Sequence, residues 1–126
     1  EPELPWEKDC IEASTLVERN GRLYMFYAGA YCNEPQQIGV AVSSDGVTFE
    51  RMSDEPLLPN GGPGEWNESE SGHPGAFVDD DGQMYLFFQG NRTGGDDYYL
   101  SKTRIEWDGD KPSLVRPRDG KEFHLR

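Results

Sequence analysis

Two segments of this chain share one plan, and that repetition limits the folds open to it more than any other feature. The first runs from Ile11-Glu12-Ala13-Ser14 through Asn20-Gly21 to Tyr24-Met25-Phe26-Tyr27-Ala28-Gly29. It reads as two antiparallel strands about an Asn-Gly turn, among the strongest short hairpin signals. The second runs from Gly72-His73-Pro74-Gly75 through Asp79-Asp80-Asp81-Gly82 to Tyr85-Leu86-Phe87-Phe88-Gln89-Gly90. A slide of 61 residues lays Gly21 on Gly82, Tyr24 on Tyr85, Phe26 on Phe87 and Gly29 on Gly90. The same slide lays Glu12 on His73, so two ionisable residues fall at matching places in successive repeats. Repeats of this kind cannot bury their faces alone and must stack on neighbours.

The rest of the chain continues each hairpin outward. A third strand is expected over 37–43, turned by Ser44-Asp45-Gly46, and an edge strand over 47–52 with polar–apolar alternation. After the second hairpin come a strand over 98–104, a turn at Asp108-Gly109-Asp110 and a weak strand over 113–115. Residues 1–10 are broken by proline and enter as an extended segment, while 53–71 is a long acidic connection without a clear period. No segment has helical periodicity. Four consecutive antiparallel strands make one propeller blade. The expected class is therefore all-β, with blades over 11–52 and 72–117, a loop over 53–71 and a ragged tail over 118–126.

Composition narrows the partners. A net charge of −12 argues against nucleic acid and against an anionic membrane surface, because both need clustered Lys and Arg. No run approaches the roughly 20 apolar residues that span a bilayer. A soluble protein is expected, secreted or periplasmic, and the missing initiator Met fits a mature product or a piece of a longer chain. Cys10 and Cys32 flank the open end of the first hairpin, where free structural thiols or a single bridge both fit. The lack of a Cys-x-x-Cys pair argues against a zinc site. Asp79-Asp80-Asp81-Gly82 lacks the spaced ligands of a calcium loop and reads as a polar turn. Two glycosylation triplets, Asn67-Glu68-Ser69 and Asn91-Arg92-Thr93, carry no weight without a secretory context.

These motifs together resemble the five-bladed β-propeller glycoside hydrolases of family 43, the arabinosidase and xylosidase relatives. Glu12, opening a blade ahead of Gly21-Arg22-Leu23-Tyr24, is similar to the family's general acid. His73, ahead of Phe77-Val78-Asp79-Asp80-Asp81-Gly82, is similar to the histidine on the propeller axis, often near a bound metal. Val42-Ser43-Ser44-Asp45-Gly46-Val47-Thr48-Phe49 resembles the Ser-x-Asp-Gly-x-x-Trp turn, with Phe49 in place of Trp. Ala13-Ser14 departs from the usual Gly-Pro or Ala-Pro. The family's base and its helper carboxylate come from blades before the acid's, so this chain looks like the later part of a propeller. The resemblance implies an inverting glycosidase acting on O-glycosidic bonds of polysaccharides or oligosaccharides, with carbohydrate as partner. Either self-association or further blades in a longer chain would complete it. No cofactor is implied beyond a structural divalent cation near His73. Two rival readings are a non-catalytic glycan-binding module and a relative that transfers sugars to phosphate.

Each candidate has a bland alternative. Glu12 sits beside apolar Ile11, where desolvation favours the protonated carboxyl an acid catalyst needs; otherwise it is a surface glutamate. His73 is open to three uses: metal ligand, proton-network partner, or satisfied structural histidine. Glu68 and Glu70 precede His73 in a loop and are placed to join it, but they read best as a solvated acidic loop. Loops after second strands return to the face that bears Glu12, which makes Tyr31, Asn33, Gln89, Asn91 and Arg92 candidates to bind sugar. Phe87 and Phe88 are expected on an open, adhesive face.

Overall fold

The computed structural model describes residues 1–92 and 97–115, together with the backbone of Phe123–Leu125. Two antiparallel sheets fill it. The first has the order β1 (Ile11–Arg19), β2 (Arg22–Gly29), β3 (Gln37–Ser43), β4 (Glu50–Arg51). The second has the order β5 (Glu70–Val78), β6 (Met84–Asn91), β7 (Tyr99–Asp108), β8 (Lys111–Val115). A short β9 (Phe123–Leu125) pairs with the far end of β7, beside β8, so the second sheet has a fifth strand beyond the expected four. The architecture is all-β, two consecutive propeller blades. Among the described residues no helix is long and apolar enough to cross a membrane.

Turn chemistry sets the registers. Asn20 and Gly21 both take positive φ, 52° and 76°, as a two-residue hairpin turn requires, and Glu18 accepts the Gly21 N–H at 2.8 Å. The acidic turn of the second hairpin satisfies itself. Asp79 accepts the Asp80 N–H on its side chain and the Gly82 N–H on its carbonyl, and Asp81 accepts the Gln83 N–H. β4 is shorter than expected because Asp45 Oδ1 accepts the N–H groups of Val47 and Thr48, holding them in the turn.

The sheets pack face to face. Val17, Tyr24, Phe26, Ile38 and Val40 of the first meet Leu86, Phe88 and Ile105 of the second. Phe88 is therefore core and only 1% exposed, against the expectation above. Neighbouring strand residues point to opposite faces, so Phe87 and Phe88 cannot share one. At one end Trp107 meets Tyr24 edge-on at 4.6 Å, with the Arg19 guanidinium 4.4 Å from its ring. The connection between the sheets is anchored at two points: Leu58 exchanges two backbone bonds with Ile38, and Trp66 lies against Phe88 and Tyr99. Leu16, Phe77 and Leu100 remain exposed.

Residues 1–10 are more than an extended lead-in. Pro5–Glu7 forms a 3-10 turn that buries Glu7 completely. Tyr27 Oη and Arg51 Nε each donate to Glu7 Oε1 at 2.7 Å, while Arg51 Nη2 and the Glu3 N–H donate to Oε2. Burial pushes this carboxyl upward, but the Arg51, Glu3 and Tyr27 bonds outweigh it and bring its pKa down to about 2. Burial and then Glu7 push the Tyr27 phenol well above its ordinary value.

Candidate functional site

Both first strands are interrupted by a one-residue bulge, between Glu12 and Thr15 in β1 and between Gly72 and Gly75 in β5. Thr15 opposes Phe26 and Gly75 opposes Phe87, so the first strands correspond at an offset of 60 residues while the second strands keep 61. The extra residue lies in the acidic turn. The true counterpart of His73 is therefore Ala13, not Glu12, and the two bulge residues share a left-handed backbone, with φ of 47° and 50°. Glu12 corresponds to Gly72.

The bulges nonetheless aim Glu12 and His73 at each other across the seam between sheets. His73 Nε2 lies 3.9 Å from Glu12 Oε1, and both side chains are about a third exposed, at 39% and 35%. Gln36 Nε2 donates to the same Glu12 oxygen at 2.9 Å and to the Ala30 carbonyl at 2.9 Å. Gln36 reaches this position only because residue 72 is glycine: a Cβ there would stand 1.7 Å from Gln36 Oε1. The Ser71 N–H donates to the Gln36 carbonyl at 2.8 Å, fastening the loop of one sheet to β5 of the other.

Behind His73 stands Glu70. It is wholly buried, not part of a solvated loop, because β5 begins at this residue and turns it inward. Gln89 Nε2 donates to Glu70 Oε1 at 2.6 Å and sits 2.8 Å from His73 Nδ1. His73 Nδ1 is also 3.4 Å from Glu70 Oε1, and Glu70 Oε2 is buried without a hydrogen-bond partner. Among the described residues, neither Glu12 nor Glu70 is paired with a Lys or Arg.

Cys32, on the loop after β2, completes the group. Its ligand atom and those of Glu12 and His73 lie within 4.8 Å of one another. Partial burial first, and then the Glu70 and Glu12 charges, push its thiol upward. Both cysteines are free thiols. A sulfur–nitrogen–oxygen donor set suits a zinc-class ion and does not suit calcium, which takes an all-oxygen shell.

The other candidates scatter. Tyr31 is exposed beside Cys10, which raises its phenol, with a smaller push from Glu12. Asn33 Nδ2 donates to Tyr98 Oη at 3.3 Å. Asn91 is fully buried and so out of reach of a ligand at the surface, whereas Arg92 is exposed. Residues 93–96 of the loop expected over 91–97, with Thr93 of the second glycosylation triplet, lie outside the described residues, as does most of the tail over 118–126. On the outward side of the first sheet, Glu12 also lines a cleft of about 380 Å³ with Ile11, Met25, Tyr27, Phe49 and Arg51. Cys32 and Gln36 are the site residues that the sequence does not single out, and Glu70 does join His73, where the acidic-loop reading put it in solvent.

Comparison with known proteins supplies the context. Residues 3–111 match the family model described as Glycosyl hydrolases family 43. The xylosidase/arabinosidase 43A of Humicola insolens is 30% identical over 112 residues, which is 86% of this chain and 32% of that protein. The crystal structure of a thermostable family-43 glycoside hydrolase shares its fold with a TM-score of 0.78 at 21% identity, covering 92% of this chain and 40% of that one. An α-L-arabinofuranosidase structure from Clostridium thermocellum gives a TM-score of 0.58 at 26% identity, over 90% and 34% of the two chains. The chain thus spans about a third of the length of the curated relative.

Proposed function

The chain belongs to glycosyl hydrolases family 43, and from that membership we propose that it supplies the acid side of an inverting glycosidase acting on O-glycosidic bonds of oligosaccharides or polysaccharides. Glu12 is the proton donor to the leaving oxygen. The observation that carries this reading is the meeting of Glu12 and His73, from separate sheets, at 3.9 Å. Glu12 Oε1 is engaged by Gln36 and faces His73, which leaves Oε2 to hold the proton and present it to the glycosidic oxygen. Gln89 Nε2 lies 2.8 Å from His73 Nδ1, and the tautomer that accepts there carries its proton on Nε2, toward Glu12. Tyr31, close enough to Glu12 to feel its charge, is the sugar contact beside this group, and Asn33 and Arg92 are exposed candidates farther along the loops after the second strands.

An acid alone does not hydrolyse a glycoside, because inversion needs a second carboxylate to activate water on the opposite face of the sugar. We place that base outside residues 1–126, in further blades or a second copy abutting the outward faces. Sedimentation of the purified chain, paired with an assay on arabinosyl and xylosyl aryl glycosides, tests this. Under conditions where the chain is monomeric, no turnover is expected; a monomer with ordinary turnover overturns the placement of the base. In an assembly that does turn over, Glu12→Gln is expected to slow glycosides with poor leaving groups by about 10²–10⁴-fold and to spare dinitrophenyl glycosides. Equal losses on both would remove Glu12 from the acid role.

A further inference from the structure

The seam between the sheets gathers negative charge that no basic side chain answers. Glu12 and Glu70 flank His73, and among the described residues that imidazole is the one ionisable base either of them meets, their other partners being the neutral amides of Gln36 and Gln89 and the Cys32 thiol. Glu70 is fully buried, and its Oε2 has no hydrogen-bond partner. Leaving a carboxylate oxygen in that condition is costly unless a positive charge can join it. The Cys32 sulfur lies on the same spot, with the ligand atoms of Glu12, Cys32 and His73 all within 4.8 Å of one another.

From this arrangement we propose that Glu12, Cys32 and His73 form a binding site for a zinc-class divalent ion, and that the bound ion withholds the Glu12 carboxylate from catalysis. Tetrahedral zinc holds its ligand atoms roughly 3.3–3.7 Å apart, so closing the present spacing takes shifts of about an ångström. Cys32 stands on an exposed loop, the element most able to supply that movement. Three protein ligands leave a fourth position for water. Histidine ligands generally turn their second nitrogen to a carboxylate, and Glu70 Oε1 already stands 3.4 Å from His73 Nδ1 for that purpose.

The proton balance is definite. Cys32 releases its thiol proton to solvent as the sulfur–metal bond forms, and Glu12 gives up the acid proton it holds for catalysis as its carboxylate joins the ion. The imidazole proton passes from Nε2 to Nδ1, where Glu70 accepts it, and the Gln89 contact to Nδ1 gives way. Binding is therefore tighter at higher pH. The inhibitory half of the proposal rests on Glu12 being the acid, while the site itself does not.

Cobalt(II) serves as a visible probe of the metal site and requires no turnover. Titrating the purified chain is expected to produce a near-ultraviolet thiolate-to-cobalt band together with the visible bands of four-coordinate cobalt, both removed by added zinc. The thiolate band should vanish in Cys32→Ser and persist in Cys10→Ser. Glu70→Gln should weaken binding about 10–100-fold while leaving the band's shape unchanged. Circular dichroism of each variant confirms that its sheets are intact. Absence of the band in the wild-type chain, its persistence in Cys32→Ser, or unchanged affinity in His73→Ala would overturn the site. An intact spectrum in an assembly whose turnover zinc does not inhibit would overturn the inhibitory role alone.

Discussion

A single residue, Glu7, ties the chain's first turn to the first sheet. Its carboxylate takes bonds from Tyr27, Arg51 and two backbone N–H groups while wholly buried. Its pKa of about 2 in the folded chain lies below the ordinary 4.5. The folded state therefore binds the proton less well than the unfolded one. The stability this group contributes is complete above about pH 4.5 and drains away as the pH falls toward 2. Glu7→Gln is expected to cost about 3–5 kcal/mol at neutral pH, because Arg51 is left without its buried partner, and to flatten the acid limb of the stability curve. Denaturant titrations at pH 7, 5 and 3 read both effects. Nothing in the sequence marked Glu7, since one glutamate among 24 acidic residues has no period or motif to separate it. Cys32 and Gln36 escaped, and Glu70 read as solvent-facing, for a related reason. In a loop or at a strand's first residue, alternation does not say which polar side chain turns inward.

At the scale of elements, hairpins and strand order were readable because turn residues and alternation are local chemistry: Asn20-Gly21 announces its turn wherever it occurs. The bulges were not readable. Each inserts a residue that shifts register without leaving a compositional trace, and the longer acidic turn hid the compensating offset. An ungapped slide consequently equated Glu12 with His73, although the strands equate His73 with Ala13. The β5 bulge begins at Gly72, whose missing Cβ makes room for Gln36. Gly72→Ala should destabilise the chain by about 1–3 kcal/mol through this overlap. In a Gln36→Ala background the same change should cost at least about 1 kcal/mol less, since the colliding group is gone. A double-mutant cycle by thermal or urea unfolding measures the difference, and a purely additive result would point to backbone strain instead.

For the whole molecule, the contact between sheets decides stability. Trp107 closes one end of it against Tyr24 and Arg19, yet its indole N–H is buried without a hydrogen-bond partner. Trp107→Ala should cost about 3 kcal/mol in lost packing. Trp107→Phe should cost far less, because it keeps a ring against Tyr24 and removes the unsatisfied donor. Chemical denaturation of the two variants separates these contributions. Across the same contact, Glu12 stands on the first sheet, while His73, Glu70 and Gln89 stand on the second. The distance between Glu12 and His73 is therefore a caliper reading of how the two sheets are seated. A tilt or slide too small to disturb any strand would still open that caliper, so the reactive pair would register mechanical loosening well before the sheets themselves came apart.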